Sequence, residues 1–387
     1  MSNTPKIRFA GFDEEWNPCK LSDIGEIITG TTPSTQHPEY YSEDGIPWVT
    51  PTDITDNLIY DTPRKLSPLG EKVARVVPAE TILVTCIASI GKNTMLANAG
   101  SFNQQINALV PNKQEYDPYF LLTESHHWSA KMKREAASGT MQIVNKNDFS
   151  SIKTYVPKRP EQESIGNYFK SIDNLIALCQ QEYEKLTFLK SACLNKMFPK
   201  NGRKTPEVRF AGFTEDWKPY KIREIANRYD NLRVPVAAKL RIPGTTPYYG
   251  ANGIQDYVDG FTHEGDFVLV AEDGANDLKN YPVQYVQGKI WVNNHAHVLQ
   301  SKPGMANNPF LAYAINRADI ESFLVGGGRA KLNAETLMDI KIVMPDVEEQ
   351  QKIGLYLNSV ETLITLQKRK VEKLKQLKQS MLHNMFV

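Results

Sequence analysis

The sequence has few cysteines, almost no excess charge and no long apolar run. Its four cysteines stand far apart in 387 residues, with no C-x-x-C pair. This excludes a zinc knuckle or a disulfide framework and predicts reduced, buried thiols. The longest apolar stretch, residues 81–90, is about half the length of a membrane span, and the amino end lacks the apolar core of a signal peptide. We therefore expect a cytoplasmic protein with no membrane partner.

The sequence also lacks an excess of positive or negative charge, because the formal net charge is only +1. Domains that hold nucleic acid by electrostatics alone are usually strongly basic, so any DNA binding must rely on shape, base contacts or a partner. Apolar residues make up 41% and charged residues 23% of the chain, which is typical of a globular protein. The length is sufficient for two domains, each with its own core.

What the sequence does have is an internal repeat. Residues 5–24 read PKIRFAGFDEEWNPCKLSDI, and residues 206–225 read PEVRFAGFTEDWKPYKIREI. A second matched pair, residues 152–199 and 340–387, closes each half, and both copies contain Ile-Lys, Glu-Gln, Ile-Gly and Met-Phe. A repeat of this length dictates the architecture. It predicts two tandem copies of one unit, each with an opening motif, a globular body and a long tail.

The two bodies, roughly residues 22–150 and 223–337, align poorly with each other. Each contains one predicted helix, at residues 118–133 and 309–322. Short strand-like runs lie between turns rich in Gly, Pro and Asn. These runs are residues 46–50, 81–87, 107–110, 266–271 and 289–292. The pattern predicts two α+β domains, related scaffolds that carry different surfaces.

The tails show the period of a coiled coil, with apolar residues at alternating spacings of three and four. The predicted seam is formed by Ile165, Phe169, Ile172, Ile176, Tyr183, Leu186, Ile353, Leu357, Val360, Ile364, Val371 and Leu374. One helix cannot bury such a seam by itself, so the tails should pack on each other or on partners. Additional leucines beside the seam indicate further protein partners: Leu175, Leu189, Leu194, Leu363, Leu377 and Leu382.

Several loops of the bodies carry side chains suited to DNA. Asn and Gln can bind adenine through two hydrogen bonds, and Lys and Arg suit guanine or phosphate. The candidates in the first body are Ser89, Lys92, Asn93, Gln104, Gln105, Thr140 and Gln142. Those in the second body are Tyr249, Asn252, Asp273, Asn276, Lys279, Asn294, His295, Arg329 and Lys331. The last candidates of each body lie in Gly-rich stretches, residues 138–145 and 326–333, which predict either close approach to a phosphate or a loop that re-enters a strand.

Enzyme motifs are present only in broken form. Residues 117–119 and 308–310 read D-P-Y and N-P-F and lack the second proline of the amino-methyltransferase tetrapeptide. An N-cap followed by proline explains both. Residues 90–93 depart from a phosphate-binding loop, and no third metal ligand can be placed beside His295 and His297. We predict no catalytic residue, no bound cofactor and no metal in this chain.

Two divergent bodies, each followed by a similar tail, closely resemble the specificity subunit of type I restriction-modification enzymes. The resemblance rests on the R-F-x-G-F-x-x-x-W openings, on P-E-Q-x-x-I-G at residues 160–166 and on E-Q-Q-K-I-G at residues 349–354. It covers the whole chain. It implies an α+β fold with two tandem target-recognition domains separated by two long helices, which form an antiparallel coiled coil in an internal pseudo-twofold repeat.

On this basis we expect target-recognition domains at residues 1–158 and 201–346 and helical regions at residues 159–200 and 347–387. The resemblance implies a non-catalytic subunit that reads a bipartite, asymmetric site in double-stranded DNA, one half per domain. It also implies two methyltransferase subunits, which bind S-adenosylmethionine, and restriction subunits, which use ATP and Mg. Two alternatives remain open: a self-contained DNA methyltransferase, and a coiled-coil scaffold protein without a DNA role.

Overall fold

The structure, a computed structural model, describes residues 3–137, 143–200, 202–325 and 331–387. The chain forms two compact units. Unit 1 comprises the residues up to Gln180 together with Lys370–Val387, and unit 2 comprises Gln181–Arg369. Each unit therefore includes part of both tails.

The first repeat contains twelve strands and four shorter helices in its described residues, followed by one long helix. The strands are β1 (Asn17–Lys20), β2 (Gly25–Thr29), β3 (Tyr41–Ser42), β4 (Ile46–Val49), β5 (Leu58–Ile59), β6 (Lys65–Leu66), β7 (Val76–Val77), β8 (Ile82–Thr85), β9 (Asn93–Leu96), β10 (Gly100–Phe102), β11 (Ile106–Pro111) and β12 (Lys153–Val156). The helices are α1 (Leu21–Ile24), α2 (Pro68–Val73), α3 (Pro118–Ala137), α4 (Lys146–Ser150) and the long α5 (Arg159–Lys196).

The second repeat has the same general order with longer strands. The strands are β13 (Lys218–Lys221), β14 (Ala226–Arg228), β15 (Pro243–Gly250), β16 (Gly253–Val258), β17 (His263–Ala271), β18 (Val283–Val292), β19 (Ala296–Ser301) and β20 (Lys341–Met344). The helices are α6 (Ile222–Ile225), α7 (Asn308–Asn316), α8 (Ala334–Asp339) and the long α9 (Val347–Asn384). Short 3-10 turns lie at Pro38–Tyr40, Asp230–Leu232, Ala238–Leu240 and Glu321–Phe323.

The two bodies share part of their strand order although their sequences align poorly, since the first has two five-stranded sheets and the second has one six-stranded sheet. The order β2-β11-β8-β9 in unit 1 matches β14-β19-β17-β18 in unit 2. In unit 1, β10 runs parallel to β4, and in unit 2 the end of β18 runs parallel to β15. The flanking antiparallel pairs β1·β12 and β13·β20 also correspond. The predicted α+β class, with two related domains and two long helices, is confirmed.

The core of unit 1 is completed by the carboxyl end of the chain. Trp16 of the opening motif is 1% exposed, and Phe386 near the carboxyl end is 5% exposed. Their ring centroids lie 5.9 Å apart, and Phe386 stacks on Phe120 of α3 at 5.6 Å. In unit 2 the equivalent cluster is Trp217, Phe310 and Phe198. The Met-Phe that ends each tail is thus part of a hydrophobic core. A buried aromatic side chain of this size contributes strongly to the stability of the fold.

The predicted elements are largely found, and one helix is shorter than predicted. Strands occur at all five predicted runs, and the helix predicted at residues 118–133 is α3. The helix predicted at residues 309–322 ends at Asn316. Arg317 is its C-cap residue, and the rest of the predicted range contains a separate 3-10 turn at Glu321–Phe323.

None of the helices in the described part of the chain is both long and apolar enough to cross a membrane.

Candidate nucleic-acid interface and subunit-docking helices

The repeated motifs form the same buried Arg–Glu ion pair in each unit. In unit 1 the guanidinium of Arg8 donates to both carboxylate oxygens of Glu161, at 2.6 and 2.8 Å. In unit 2 Arg209 donates to Glu349 at 2.7 and 2.8 Å. The two carboxylate side chains are 2% and 0% exposed. Bidentate, charge-assisted contacts of this kind are strong, so each R-F-A-G-F opening is fastened to the start of the helix that follows its body.

The Gln of each E-Q motif ties that helix to its body. Gln162 accepts the backbone N–H of Asp117 at 2.9 Å, and Gln350 accepts that of Asn307 at 3.1 Å. Each also donates its side-chain amide to a proline carbonyl, at 2.9 Å in both units. These hydrogen bonds hold the first residues of α3 and α7 against the long helices.

The Gly of each I-G pair permits this close approach. A Cβ atom on Gly166 would lie 2.2 Å from the Asp117 side chain, and one on Gly354 would lie 2.5 Å from that of Asn307. Asp117 and Asn307 are the residues that cap α3 and α7. The sequence interpretation put the second cap at Asn308, which is wrong by one residue, because the contacts with the long helix select Asn307. The broken enzyme motifs are therefore helix starts.

The two long helices run antiparallel in each unit. In unit 1, Asp173 of α5 pairs with Lys378 of α9 at 2.6 Å, and Phe169, one turn earlier in α5, meets the later Phe386. In unit 2, Lys190 of α5 pairs with Glu361 of α9. All of the predicted seam residues are buried or half-buried.

The faces of the helices away from the seam carry exposed apolar side chains. The most exposed are Leu178 at 63%, Phe188 at 76%, Leu355 at 64% and Leu366 at 54%. Among the leucines predicted beside the seam, Leu194 and Leu382 are not available to a partner, because they pack against the cores of unit 2 and unit 1. Leu175, Leu189, Leu363 and Leu377 are exposed.

A matched turn places candidate reading residues at the same sheet end in both units. In unit 1 the side-chain oxygen of Asn103 accepts the N–H of Gln105 at 3.1 Å. In unit 2 Asn293 accepts the N–H of His295 at 2.8 Å. Asparagine commonly stabilises turns in this way. The two residues after the asparagine are Gln104-Gln105 in one unit and Asn294-His295 in the other.

The first body brings four of its candidates together beside this turn. The N–H of Cys86, which starts the β8–β9 turn, donates to the carbonyl of Gln105 at 2.7 Å. Ser89 and Lys92 lie in the β8–β9 turn and are exposed, as is Gln104. The hydroxyl of Thr32 donates to the Gln104 side chain. Thr32 was not predicted, and no spacing signal in the sequence links it to a turn so far along the chain.

The second body gathers a larger group. The N–H of Glu272 donates to the carbonyl of His295 at 2.8 Å, which joins the β17–β18 loop to the Asn turn. His295 Nδ1 lies 2.5 Å from the Asp273 carboxylate. Asn252 accepts the N–H of Asn276 at 2.9 Å. Lys279, Asn294 and Lys331 are exposed, and Lys331 pairs with Glu272 at 2.9 Å.

Some candidates are placed where DNA cannot easily reach them. Asn93 is half-buried and donates to Ser125 of α3 at 2.5 Å, so it has a structural contact. Tyr249 is only 9% exposed within β15. Thr140, Gln142 and Arg329 lie outside the described residues.

The described end of each Gly-rich stretch is hydrogen-bonded to the loop beside the Asn turn of its unit. The N–H of Val144 donates to the carbonyl of Cys86 at 2.9 Å, and that of Leu332 donates to the carbonyl of Glu272 at 2.8 Å. The described ends of the two stretches therefore re-enter the sheet end in both units, which is one of the two predicted alternatives.

A charged network lies beside the Asn293 turn of unit 2. Asp230, Glu272 and His297 lie close enough together to ligate one metal ion. They are already bonded: His297 to Asp230 at 2.7 Å and to the Leu332 carbonyl at 2.9 Å, and Glu272 to Arg233 at 2.7 Å. Such contacts serve positioning. Sequence reasoning missed Asp230 and Arg233, because a charged residue in a loop gives no sign that it will be buried.

The pKa values of the two acids reflect this network. Burial alone raises the pKa of Asp230, but the hydrogen bond and the charge of His297 outweigh it and hold that pKa below its usual range. Burial likewise raises the pKa of Glu272, and the hydrogen bonds from Arg233 and Lys331 outweigh it. Both acids are therefore ionised at neutral pH.

Comparison with known protein families shows to which family the chain belongs. The family model for the type I restriction modification DNA specificity domain matches residues 13–187 and again residues 214–376. The chain belongs to this family. Its two matched segments correspond to the two repeats, so it carries two type I specificity domains in tandem.

Curated proteins of this family align with the chain over different lengths. A Haemophilus influenzae protein named as a type I restriction enzyme specificity subunit is 44% identical over 164 residues, which is 42% of this chain and 42% of that protein. The EcoprrI specificity subunit of Escherichia coli is 22% identical over 364 residues, 91% of this chain and 89% of the relative. The chain thus aligns with less than half of the first relative's length.

A solved structure has the same fold. The S subunit of a type I restriction-modification system from M. genitalium superposes with a TM-score of 0.73 and covers 99% of each chain, at 14% identity. The two chains therefore share one fold over almost their whole lengths.

Proposed function

We propose that this chain is the DNA-reading subunit of a type I restriction-modification complex, and that each unit reads one half of a bipartite, asymmetric site in double-stranded DNA. The observation that carries the proposal is the matched Asn turn. One scaffold displays Gln104-Gln105 in unit 1 and Asn294-His295 in unit 2. Amide and imidazole side chains differ in the base edges they bind, so the two halves of the site should differ.

This chain would determine which DNA sequence is bound, and its partner subunits would catalyse the reactions on that DNA. Two methyltransferase subunits would bind S-adenosylmethionine and methylate adenine, after base flipping, and restriction subunits would use ATP and Mg. We place this complex in the cytoplasm. We keep residues 1–158 and 201–346 as the target-recognition domains, with residues 159–200 and 347–387 as helical regions.

We propose that partner subunits dock on the long helices and that these helices set the distance between the two half-sites. Each contains 38 residues, and at about 1.5 Å per residue this is roughly 57 Å of helix. The exposed Phe188 and Leu366 support docking of a protein partner on these helices, since exposed apolar patches commonly mark interfaces. Replacing either by Ser should weaken capture of the methyltransferase subunit, and Ser359→Ala, on an outer face of α9, is the control.

The test of half-site reading uses single loop variants and methylome sequencing. Gln104→Ala should relax base preference in one half-site only, and His295→Ala in the other half-site only. A base contact of this type is worth roughly 10- to 100-fold in discrimination. Gln351→Ala, an exposed glutamine of α9, is the matched control and should leave the motif unchanged.

If either loop variant altered both half-sites, or if neither altered any, the proposal would be wrong. Methyl transfer by the isolated chain, given DNA and S-adenosylmethionine, would instead support a self-contained methyltransferase. A chain that assembled with partners but protected no DNA would support the scaffold alternative.

A further inference from the structure

The segment that follows β2 lies directly against the Asn103 turn of unit 1. The N–H of Gly30 donates to the carbonyl of Ile106 at 3.1 Å, and the N–H of Thr31 donates to the carbonyl of Phe102 at 2.9 Å. These two acceptors flank the turn on either side. A Cβ atom on Gly30 would lie 2.1 Å from the carbonyl oxygen of Asn103, so glycine permits this close approach. The segment and the turn are therefore held together.

The next residues of this segment are fixed by two aromatic side chains. The indole N–H of Trp48 donates to the carbonyl of Thr31 at 3.0 Å, and Trp48 is only 4% exposed. The hydroxyl of Tyr41 donates to the carbonyl of Pro33 at 2.7 Å. Thr32 lies between these two anchored residues, so its backbone is held on both sides.

Thr32 uses its side chain to hold a residue that we assign to DNA reading. Its hydroxyl donates to the side-chain oxygen of Gln104, the first residue after Asn103. A glutamine side chain has considerable rotamer freedom, which costs free energy to lose. A hydrogen bond from an anchored neighbour restricts this freedom before DNA binds. The amide nitrogen of Gln104 has two N–H donors that can meet a base edge.

Unit 2 has a similar arrangement with different residues. Asp273 of the β17–β18 loop holds His295, the second residue after Asn293, with the carboxylate 2.5 Å from Nδ1. In each unit, a side chain from a separate loop thus bonds to one of the two residues after the turn asparagine. Preorganised side chains lose less free energy when they bind.

We propose that Thr32 is a positioning residue that sets base discrimination in the first half-site by holding Gln104 in the orientation that meets DNA. This inference rests on the proposed function. Both side chains are exposed in the free chain, so water competes with their hydrogen bond there. DNA that covers the turn excludes this water, and a polar group without a partner then becomes costly. Without the Thr32 hydroxyl, Gln104 can adopt other rotamers and meet other base edges.

The test is competition binding of DNA duplexes to the complex assembled with the methyltransferase subunit. The duplexes carry the site found by methylome sequencing, with the base pairs of each half-site substituted one at a time. Thr32→Val removes the hydroxyl at nearly constant shape. We expect it to lower discrimination by about 3- to 10-fold, the value of one hydrogen bond, at the same base pair that Gln104→Ala affects. The second half-site should be read as before.

Three further variants separate positioning from other effects. Thr32→Ser keeps the hydroxyl and should retain discrimination within about twofold. The double variant Thr32→Val with Gln104→Ala should match Gln104→Ala alone, because Thr32 acts through Gln104. Thr214→Val, the same change at an exposed threonine of the second opening motif, should leave both half-sites unchanged.

The outcomes distinguish this inference from the proposed function. If Gln104→Ala loses discrimination while Thr32→Val retains it, the role of Thr32 is overturned and the proposed function stands. If Gln104→Ala has no effect, the reading function of the turn is overturned, and this inference with it. A further loss in the double variant would show that Thr32 contacts DNA itself, and a Thr32→Ser variant that behaves like Thr32→Val would show that the hydroxyl is not the cause. Either result would overturn the positioning role.

Discussion

Phe386→Ala tests whether the carboxyl end of the chain is a core element of unit 1. The ring is 5% exposed, and it contacts four aromatic rings: Trp16, Phe120, His127 and Phe169. Removing a buried Phe side chain costs about 3 to 5 kcal/mol. Because Phe386 lies beyond the end of α9 at Asn384, the loss cannot exceed the free energy that docks the segment after this helix. We therefore expect the lower value, about 3 kcal/mol.

Hydrogen exchange measured by mass spectrometry gives the local readout. A loss of about 3 kcal/mol corresponds to roughly 100-fold faster opening, and we expect it in the first turns of α3 and α5. Phe198→Ala should produce the same effect in the core of unit 2. Phe188→Ala, at a side chain that is 76% exposed, is the control and should change little. Unchanged protection of α3 in Phe386→Ala would refute the reasoning.

Three further predictions concern the buried Arg8–Glu161 ion pair, the seam between the two long helices and the charged network around Asp230. Arg8→Gln leaves Glu161 buried without its partner and should cost about 3 to 5 kcal/mol in denaturant unfolding; adding Glu161→Leu should recover much of this loss, and an unchanged midpoint in the single variant would contradict the account. Leu374→Asp places a charge in the seam and should weaken assembly with the methyltransferase or change the spacer length, whereas unchanged assembly and spacer would count against the pairing of the helices. Asp230, whose pKa is held below its usual range, stabilises the fold fully above the unfolded-state pKa of about 3.9, and this contribution is lost as the pH falls through the lower folded-state value. The stability difference between wild type and Asp230→Asn should therefore narrow as the pH falls below about 4 in acid unfolding, and a difference that widened there would be inconsistent with the network around His297.

The repeat and the helices could be predicted because their signals are local. Seam residues such as Ile353 and Leu357 recur at helical spacing, and both are buried. The R-F-A-G-F and E-Q motifs were visible, but their function was not. Arg8 and Glu161 are separated by 153 residues, and nothing in a linear pattern indicates that two distant charges form one buried pair.

The reading loops could be predicted only by residue type. Gln104 and Asn294 proved to be exposed on a matched turn. Asn93 and Tyr249 have equally suitable side chains, but one is bonded to α3 and the other is buried in a strand. Exposure depends on how the sheet is covered, and this depends on contacts far away in the sequence. The same limit explains why Arg233 was missed.

The most direct test of the central claim exchanges residues 22–150 for the first body of another member of the family, followed by methylome sequencing of the host. If the two units read DNA independently, the first half-site changes while the second half-site and the gap stay the same. A change in both half-sites, or a methylated motif that becomes one unbroken sequence, would contradict the account.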